Sequence, residues 1–163
     1  FRMLFGEQSG GRLLAGTRIS PSVCIEHEEA LQLADDVFIG HFCFIEASAG
    51  VTIGPGTQVT NFVSIVSHST HRAVRVAAGL SGAELDAAVI RAPIQIGERC
   101  FIGPHSTIEA GSTLGQGTLV AAHSRVRGQF PDFALLAGSP ARVVGDTREA
   151  DERWLARLRG GQR

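Results

Sequence analysis

Residues 94–126 read IQIGERCFIGPHSTIEAGSTLGQGTLVAAHSRV. Every sixth residue of this stretch, starting at Ile96, is aliphatic, and most residues two places earlier are small. The aliphatic series is Ile96, Ile102, Ile108, Leu114, Val120 and Val126. A period of six fits neither an amphipathic helix nor a strand of simple alternation. It is typical of a hexapeptide-repeat parallel β-helix, in which each repeat supplies one short strand and a turn.

The same period occurs earlier in the chain, in three triplets of aliphatic residues. We therefore predict a single all-β domain over residues 1–163, built on a three-sided parallel coil of about five turns over about residues 11–126. The predicted turns are 13–25, 33–45, 53–65, 96–108 and 114–126. The first, second and third aliphatic residue of each turn define side one, side two and side three of the coil.

Every insertion between the triplets falls at the corner between side three and side one. Two insertions add two residues each, whereas the one between Ile65 and Ile96 adds 25. This insertion predicts a long loop extruded over about residues 67–92. Insertions on one face of a solenoid often mark its binding face, so the loop is the first place to expect a functional site.

Composition excludes several classes of protein. The formal net charge is -1 and the pI is about 6.6, so nothing favours binding to nucleic acid or to an anionic membrane. No apolar run approaches the ~18 residues of a membrane-spanning helix. Cys43 and Cys100 occupy inward positions and Cys24 an outward one, which argues against disulfides and for the cytoplasm. Because the chain begins with Phe1 rather than Met, we expect its native N-terminus to lie upstream.

The repeat stops after Val126. Residues 130–144 read as a turn followed by an irregular extended segment, the first part of a C-terminal tail over residues 130–163. Asp146 and Glu149 have the spacing of a capping box, and a short helix is predicted from about residue 148 to residue 159. Trp154 and Leu158 are expected to dock this helix on the open end of the coil.

Four motifs together identify a resemblance. They are VSHSTHR (66–72), APIQIGERCFIG (92–103), LVAAHSRV (119–126) and LLAGSPARVV (135–144). Together with the repeats they resemble the left-handed β-helix O-acetyltransferases over about residues 35–145. That family includes galactoside and maltose acetyltransferases and the sugar O-acetyltransferases of lipopolysaccharide and capsule synthesis. The resemblance implies a left-handed coil and transfer of an acetyl group from acetyl-CoA to a sugar hydroxyl.

His68 and His71 lie at the root of the predicted loop. A hydroxyl is a poor nucleophile at neutral pH, and histidine is the natural side chain to activate it. In the resembling family, a histidine at this place is the general base that takes the proton of the acceptor hydroxyl. His68 matches that base, and His71 is the alternative. The other four histidines are predicted to be surface residues: His27, His41, His105 and His123.

The resemblance also implies that coenzyme A lies in a groove along the late turns of the coil. Small residues there let backbone groups hold the pantetheine arm, and basic residues meet the phosphates. The matching small residues are Gly103, Ala121, Ala122 and Ser124, and the matching basic residues are Arg127 and Arg142. Acetyl-CoA is then a co-substrate, acetyl transfer is direct, and no metal is implied.

An apolar stripe is predicted on the outside of side two, formed by Phe38, Phe101 and Leu119. Contact with two further copies around a threefold axis would cover it. In the resembling family the active site lies between neighbouring coils, so we expect a homotrimer that acts on a sugar or a polysaccharide precursor. Charged loop residues are candidates for holding that sugar: Arg72, Arg75, Glu84, Asp86 and Arg91.

Two alternatives remain open. A γ-class carbonic anhydrase has the same coil but holds zinc with three histidines, two of them five residues apart, and no two histidines of this chain have that spacing. A non-catalytic coil subunit of a larger assembly would need neither the loop histidines nor the AGSPAR motif of the tail.

Overall fold

The computed structural model describes residues 4–160, with side chains from Gln8 onward. Three parallel sheets form the sides of a coil, and consecutive strands pass from one sheet to the next. Side one contains Leu31–Leu33, Val51–Ile53, Ile94–Ile96, Thr113–Leu114 and Gln129–Phe130. Side two contains Arg12–Ile19, Phe38–Ile39, Gln58–Val59, Phe101–Ile102, Leu119–Val120 and Ala134–Gly138. Side three contains Cys24–Glu26, Phe44–Glu46, Ser64–Val66, Thr107–Glu109 and Arg125–Val126.

The register between strands confirms the six-residue period. Ile39 lies beside Val59 on side two, and Ile45 lies beside Ile65 on side three. These inward aliphatic side chains have no exposed area and form a continuous core along the coil axis. Burying each of them contributes roughly 1.5–3 kcal/mol, so the periodic positions supply much of the driving force for folding.

The second inward position holds a small side chain in many repeats, although Leu31 and Ile94 occupy it on side one. Where this side chain is polar, the neighbouring turn provides hydrogen-bond partners. The Oγ of Ser106 donates a hydrogen bond to the carbonyl oxygen of Ala121 over 3.0 Å, which avoids the cost of a buried, unpaired hydroxyl. Cys43 and Cys100 are buried as predicted, Cys24 is exposed, and all three are free thiols. Burial raises the pKa of both inward thiols.

The start of the coil differs from the prediction. Leu13, expected in the core, is 61% exposed, whereas Leu14 is fully buried. The chain turns no corner here, because Arg12–Ile19 is one strand that pairs antiparallel with Leu4–Ser9. Side one therefore begins only at Leu31.

The end of the coil also differs, because the repeat does not stop at Val126. Gln129–Phe130 continues side one and Ala134–Gly138 continues side two, both in parallel register. Phe130 and Leu136 are six residues apart and take the places of the expected aliphatics. The sequence does not reveal that the repeat continues past Val126, because the preceding corner is shortened and one core residue is aromatic.

The segment after the coil is regular, contrary to the predicted irregular stretch. Ala141–Asp146 folds back antiparallel on Ala134–Gly138 and forms the edge of the side-two sheet. The predicted helix is confirmed as α3, Thr147–Gly160. The carboxylate of Asp146 accepts a hydrogen bond from the backbone N–H of Arg148 at 2.9 Å, which caps the start of the helix.

The expected docking of α3 on the coil is wrong. Trp154 is 61% and Leu158 is 50% exposed, and no residue of α3 is buried. The root of the helix is held at the corner between sides one and two, where the N–H of Thr147 donates to the carbonyl of Phe133. From that anchor the helix extends without covering the end of the coil.

The extruded loop has secondary structure of its own. Its root is a two-stranded antiparallel ribbon of His68–Ser69 and Ile90–Arg91. Two short helices lie between these strands, α1 (His71–Val76) and α2 (Gly82–Ala87). The other short helical segment of residues 4–160 is a 3-10 turn, Glu28–Ala30. No helix within residues 4–160 is long and apolar enough to cross a membrane.

Candidate active site

A pocket of about 600 Å³ opens on the outer face of side three, beneath the root of the loop. Both loop histidines predicted from the sequence line it. Its other walls come from side three, the loop and the adjoining corner: Glu26, Phe44, Glu46, Val66, Ser69, Thr70, Ile90, Thr107, Glu109, Ala110, Arg125 and Arg127.

The loop root fixes the position of His68. The side-three strand Ser64–Val66 ends one residue before Ser67, whose N–H donates to the carbonyl of Glu46 on the turn below. His68 then pairs with Arg91 of the returning strand. The histidine is therefore attached to the coil on one side and to the loop ribbon on the other.

Glu46 is the residue that the sequence analysis missed. Its side chain is 2% exposed, and its Oε2 lies 2.8 Å from Nδ1 of His68. The N–H and the Oγ of Ser67 donate to Oε2 over 3.1 and 3.0 Å, and the N–H of Ser48 donates to Oε1 over 2.8 Å. Burial alone would raise the pKa of Glu46, but the hydrogen bonds from Ser48, His68 and Ser67 outweigh it and lower the pKa to about 2. The carboxylate is thus charged at neutral pH.

This arrangement selects one tautomer of His68. Its Nδ1 is buried and lies 2.8 Å from Oε2 of Glu46, but the two groups lack the alignment of a formed hydrogen bond, and Nδ1 has no hydrogen-bond partner in the described part of the chain. The carboxylate is within hydrogen-bonding distance, so a small rotation of the ring aligns Nδ1–H with it. Donation from Nδ1–H to the carboxylate of Glu46 leaves Nε2 as the proton acceptor of the neutral ring. The side chain remains 36% exposed, so Nε2 is accessible to a ligand.

His71 is held differently. It is the first residue of α1 and is exposed, and its Nδ1 lies 2.7 Å from the Oγ of Ser69. A hydroxyl can orient an imidazole, but it does not bring a buried negative charge to it. Of the two predicted candidates, His68 therefore has the environment expected of a general base.

A sequence signal for Glu46 does exist. Glu46 directly follows a core aliphatic of side three, and residues at this place stack along the coil in register. The stack is Glu26, Glu46, Val66, Glu109 and Arg127. Four of these five are charged, although they flank the core of a narrow coil. Charge recurring at one repeat position marks a functional face.

Some charged side chains of the pocket form ion pairs with each other, and others do not. Arg125 binds the carboxylate of Glu109 through its Nη1 at 3.1 and 3.3 Å. Arg127 and Glu26 are exposed and form no ion pair with any residue in 4–160. Phe44 is half-buried and gives the pocket an aromatic surface.

The residues predicted to hold coenzyme A do not share one place. Gly103, Ala121 and Ala122 lie at the corner between sides two and three, outside the pocket. A Cβ on Gly103 would come within 2.6 Å of backbone atoms of the next turn, so packing alone explains this glycine. Ser124 is buried and its Oγ accepts the N–H of Gly138, so its side chain cannot contact a ligand.

The two predicted basic residues are also separated. Arg142 is exposed on the edge strand Ala141–Asp146, which belongs to the side-two sheet, and its Nη1 donates to the carbonyl of Ala141. Arg127, by contrast, lines the pocket on side three together with His68. Arg142 therefore lies on the side-two sheet, whereas Arg127 follows the last strand of side three, at the corner towards side one.

An aromatic ladder runs along that same corner. The rings of Phe42, Phe62, His105 and His123 stack with centroid distances of 5.2, 4.8 and 4.9 Å. All four residues have a positive φ between 56 and 59°, which points their side chains outward at equivalent places of successive turns. The ring spacing follows the strand spacing of a sheet, about 4.8 Å. The ladder explains why His105 and His123 are surface residues, as predicted.

The remaining histidines differ from each other. His27 is exposed and its Nδ1 lies 3.1 Å from a carboxylate oxygen of Glu29, in agreement with the predicted surface position. His41 is only half exposed, and its Nδ1 lies 2.6 Å from the Oγ of the buried Ser20. His41 is therefore part of a corner between two turns rather than a free surface residue.

The charged loop residues suggested as sugar ligands are engaged locally. Arg91 pairs with Asp86 at 2.8 Å, and Glu84 accepts the N–H of Ser81 at the start of α2. Arg75 donates to the carbonyl of His71. None of the five charged loop residues lines the pocket: Arg72, Arg75, Glu84, Asp86 and Arg91. Within residues 4–160, no group of three histidine, cysteine or acidic side chains is arranged to hold a metal ion.

We next compared the chain with known proteins. Residues 88–128 match the family described as bacterial transferase hexapeptide (six repeats). Similar proteins include a Mycobacterium tuberculosis protein named as a probable acetyltransferase, with 29% identity over 72% of this chain and 38% of the relative. Escherichia coli WbbJ, named as an O-acetyl transferase of lipopolysaccharide biosynthesis, is 27% identical over 74% of this chain.

The chain spans 38% and 63% of the lengths of these two relatives. Among solved structures, a galactoside acetyltransferase in complex with coenzyme A superposes with a TM-score of 0.70. The superposition covers 84% of this chain and 68% of the other, at 22% identity. This likeness establishes a shared fold.

Proposed function

We propose that this protein is an acetyl-CoA-dependent O-acetyltransferase that acetylates a hydroxyl of a sugar or of a polysaccharide precursor. The observation that carries the proposal is the 2.8 Å contact between Nδ1 of His68 and the buried carboxylate of Glu46, at the edge of an open pocket. The names of the hexapeptide-repeat relatives, among them an O-acetyl transferase, support the same reaction.

In the proposed mechanism, His68 is the general base. Its Nε2 takes the proton of the acceptor hydroxyl as the hydroxyl oxygen attacks the thioester carbon. The C–S bond then breaks, and the imidazolium returns the proton to the departing sulfur, so the coenzyme leaves as its thiol. The imidazolium that forms is stabilised by the charged Glu46, which also keeps the ring oriented. A base positioned in this way contributes typically 10²–10⁴-fold to the rate. Transfer is direct, with no acetyl group on the protein.

The coenzyme is proposed to lie along the corner that carries Ala121 and Ala122. Ala122 is exposed there, so a chain of methylenes and amides could approach the backbone closely. Arg142, on the adjoining side-two sheet, offers an exposed guanidinium for a phosphate. These residues fit the coenzyme, whereas Ser124 contributes only through packing.

We also propose a left-handed winding of the coil and a homotrimeric assembly. The winding rests on the shared fold with the galactoside acetyltransferase. Phe101 is 39% exposed on side two, Leu119 beside it is partly exposed, and so is Phe38, two strands away across Gln58. These side chains leave apolar surface for a neighbouring copy to cover. The separation between the pocket and the small-residue corner supports a site completed by two chains. The free inward cysteines favour a cytoplasmic location.

The two alternative functions, a zinc enzyme and a non-catalytic subunit, fit the arrangement of these side chains less well. A zinc protein of the carbonic anhydrase type needs three converging histidines, and His105 and His123 instead stack face to face on the outside. A non-catalytic subunit has no reason to bury a carboxylate against a loop histidine.

An acceptor screen tests the proposed function. The protein is incubated with acetyl-CoA and with free sugars, nucleotide-linked sugars or lipid-linked oligosaccharides, and the free thiol released is measured. Acceptor-dependent thiol release that disappears in His68→Ala supports the proposal. Tight coenzyme binding without any acceptor-dependent release across all three classes would contradict it.

A further inference from the structure

The pocket contains one cation that the proposed chemistry does not use. The carboxylate of Glu46 contacts His68, and the carboxylate of Glu109 forms an ion pair with Arg125. Arg127 lines the same pocket without an ion-pair partner in the described residues. An exposed guanidinium at the end of a pocket is a ready site for a carboxylate or a phosphate, which it can bind through two parallel hydrogen bonds.

The position of Arg127 separates it from the residues proposed for the coenzyme. Ala122 and Arg142 lie at the corner between sides two and three and on the side-two sheet, and neither lines the pocket. Arg127 shares its pocket with the base instead. The anion that it binds is therefore expected to be on the molecule that gives its hydroxyl proton to His68.

The register of the side-three strands gives the approximate length of a molecule that contacts both His68 and Arg127. Val66 lies beside Glu109, and Arg127 follows Val126, which lies beside Ile108. Arg127 is thus two strand spacings from the level of Val66, a separation of roughly 10 Å. His68 follows Val66 by two residues in the sequence. This separation suits one hexose that presents a hydroxyl to the base and carries a charged substituent at its far end.

We propose that the acceptor is an anionic sugar, a uronic acid or a sugar phosphate, whose charged group is bound by Arg127. Thr107 and Glu109 lie on the strand between the levels of Val66 and Arg127, and both line the pocket. The inference rests on the proposed acetyl transfer, but the binding that it predicts can be measured without any reaction.

The test compares charged and neutral ligands of matched shape. Binding of galacturonate against galactose, and of glucose 1-phosphate against glucose, is measured by ligand-observed NMR with wild type, Arg127→Gln and Arg157→Gln. Arg157 is an exposed arginine of α3, far along the chain from the pocket, and serves as the matched control. The Kd of coenzyme A is measured for the same three proteins by calorimetry.

We expect at least one charged sugar to bind about 10-fold or more tightly than its neutral partner, the usual worth of a charge-assisted hydrogen bond. Arg127→Gln should abolish this preference and leave the Kd of coenzyme A unchanged, while Arg157→Gln should behave as wild type. The pair that shows the preference identifies the anion as a carboxylate or a phosphate.

Three results would overturn the inference. They are the absence of any charge preference, a preference that survives in Arg127→Gln, and a loss of coenzyme affinity in Arg127→Gln, which would assign the arginine to the coenzyme phosphates. A different result would contradict the proposed acetyl transfer. A charge preference that depends on Arg127, without any acetyl transfer to the bound sugar, would refute the reaction and leave the anion site standing.

Discussion

Oε2 of Glu46 and Nδ1 of His68 are 2.8 Å apart, although the two residues belong to successive turns of the coil. The contact connects the rigid coil to the root of the loop. Glu46 is in turn held by Ser48 and Ser67, so three hydrogen bonds from its surroundings fix the carboxylate before the imidazole reaches it. A base supported in this way is oriented without relying on the mobility of a loop.

Replacing the base should separate the two loop histidines. We expect His68→Ala to lower kcat by about 10²–10⁴-fold and to leave the affinity for coenzyme A nearly unchanged. His71→Ala, the matched control in the same loop, should retain most of the activity, because Nδ1 of His71 contacts the hydroxyl of Ser69 rather than a buried carboxylate. Steady-state kinetics and calorimetry measure both effects. The reverse pattern would show that His71 is the base.

Glu46 should act as a positioning residue. Glu46→Gln keeps the shape of the side chain but removes its charge, so we expect kcat to fall while KM for the acceptor changes little. Glu46→Asp should restore part of the lost kcat, since it restores the charge. Glu98→Gln, at a corner outside the pocket, is the control. Equal losses in the Asp and Gln variants would indicate a purely structural role.

The same residue predicts how stability depends on pH. The pKa of Glu46 is lowered from its ordinary value of 4.5 to about 2. Its stabilising contribution is therefore complete above pH 4.5 and is lost as the pH falls from 4.5 towards 2, a change of roughly 3 kcal/mol. Urea unfolding at fixed protein concentration should show the difference between wild type and Glu46→Gln shrinking over this range. A difference that stays constant from pH 5 to pH 2 would contradict the prediction.

The small-residue corner can be blocked without disturbing the core. Ala122 is exposed, so Ala122→Phe should leave the coil folded and should weaken coenzyme A binding by filling the proposed path of its arm. Thr52→Phe, on the exposed face of side one, is the control. Calorimetric titration gives both affinities, and circular dichroism checks the fold. Unchanged affinity in Ala122→Phe would place the coenzyme elsewhere.

Assembly should depend on the apolar stripe of side two. Light scattering should give three times the chain mass for the wild type, and the double variant Phe38→Glu, Leu119→Glu should dissociate, because burial of each side chain is worth roughly 1.5–3 kcal/mol. Loss of activity should accompany dissociation.

Mixing inactive chains tests whether the site is shared. His68→Ala chains co-refolded with Ala122→Phe chains should regain part of the activity, since some sites then combine an intact base with an intact corner. A monomeric wild type, or mixed assemblies without rescue, would show that each site is built within one chain.

The periodic part of the fold was predictable from the sequence because a narrow coil imposes its rule locally. Each repeat places an aliphatic residue inward at a spacing of six, so Ile39, Ile45 and their equivalents predict the three sides directly. The ends were not predictable in the same way. Leu13 has the right spacing but lies in a hairpin strand, and Phe130 continues the coil after a shortened corner.

The sequence by itself determined the coil, the place of the loop and the two candidate histidines. Only the tertiary structure decided between these histidines, because the decisive partner of His68 is Glu46, 22 positions away along the chain and adjacent only once the turns stack. Stacking likewise put Arg127 in the pocket of the base and left Arg142 on another sheet. Spacing along the chain fixes which side of the coil a residue faces, whereas the contacts between turns fix what it can do there.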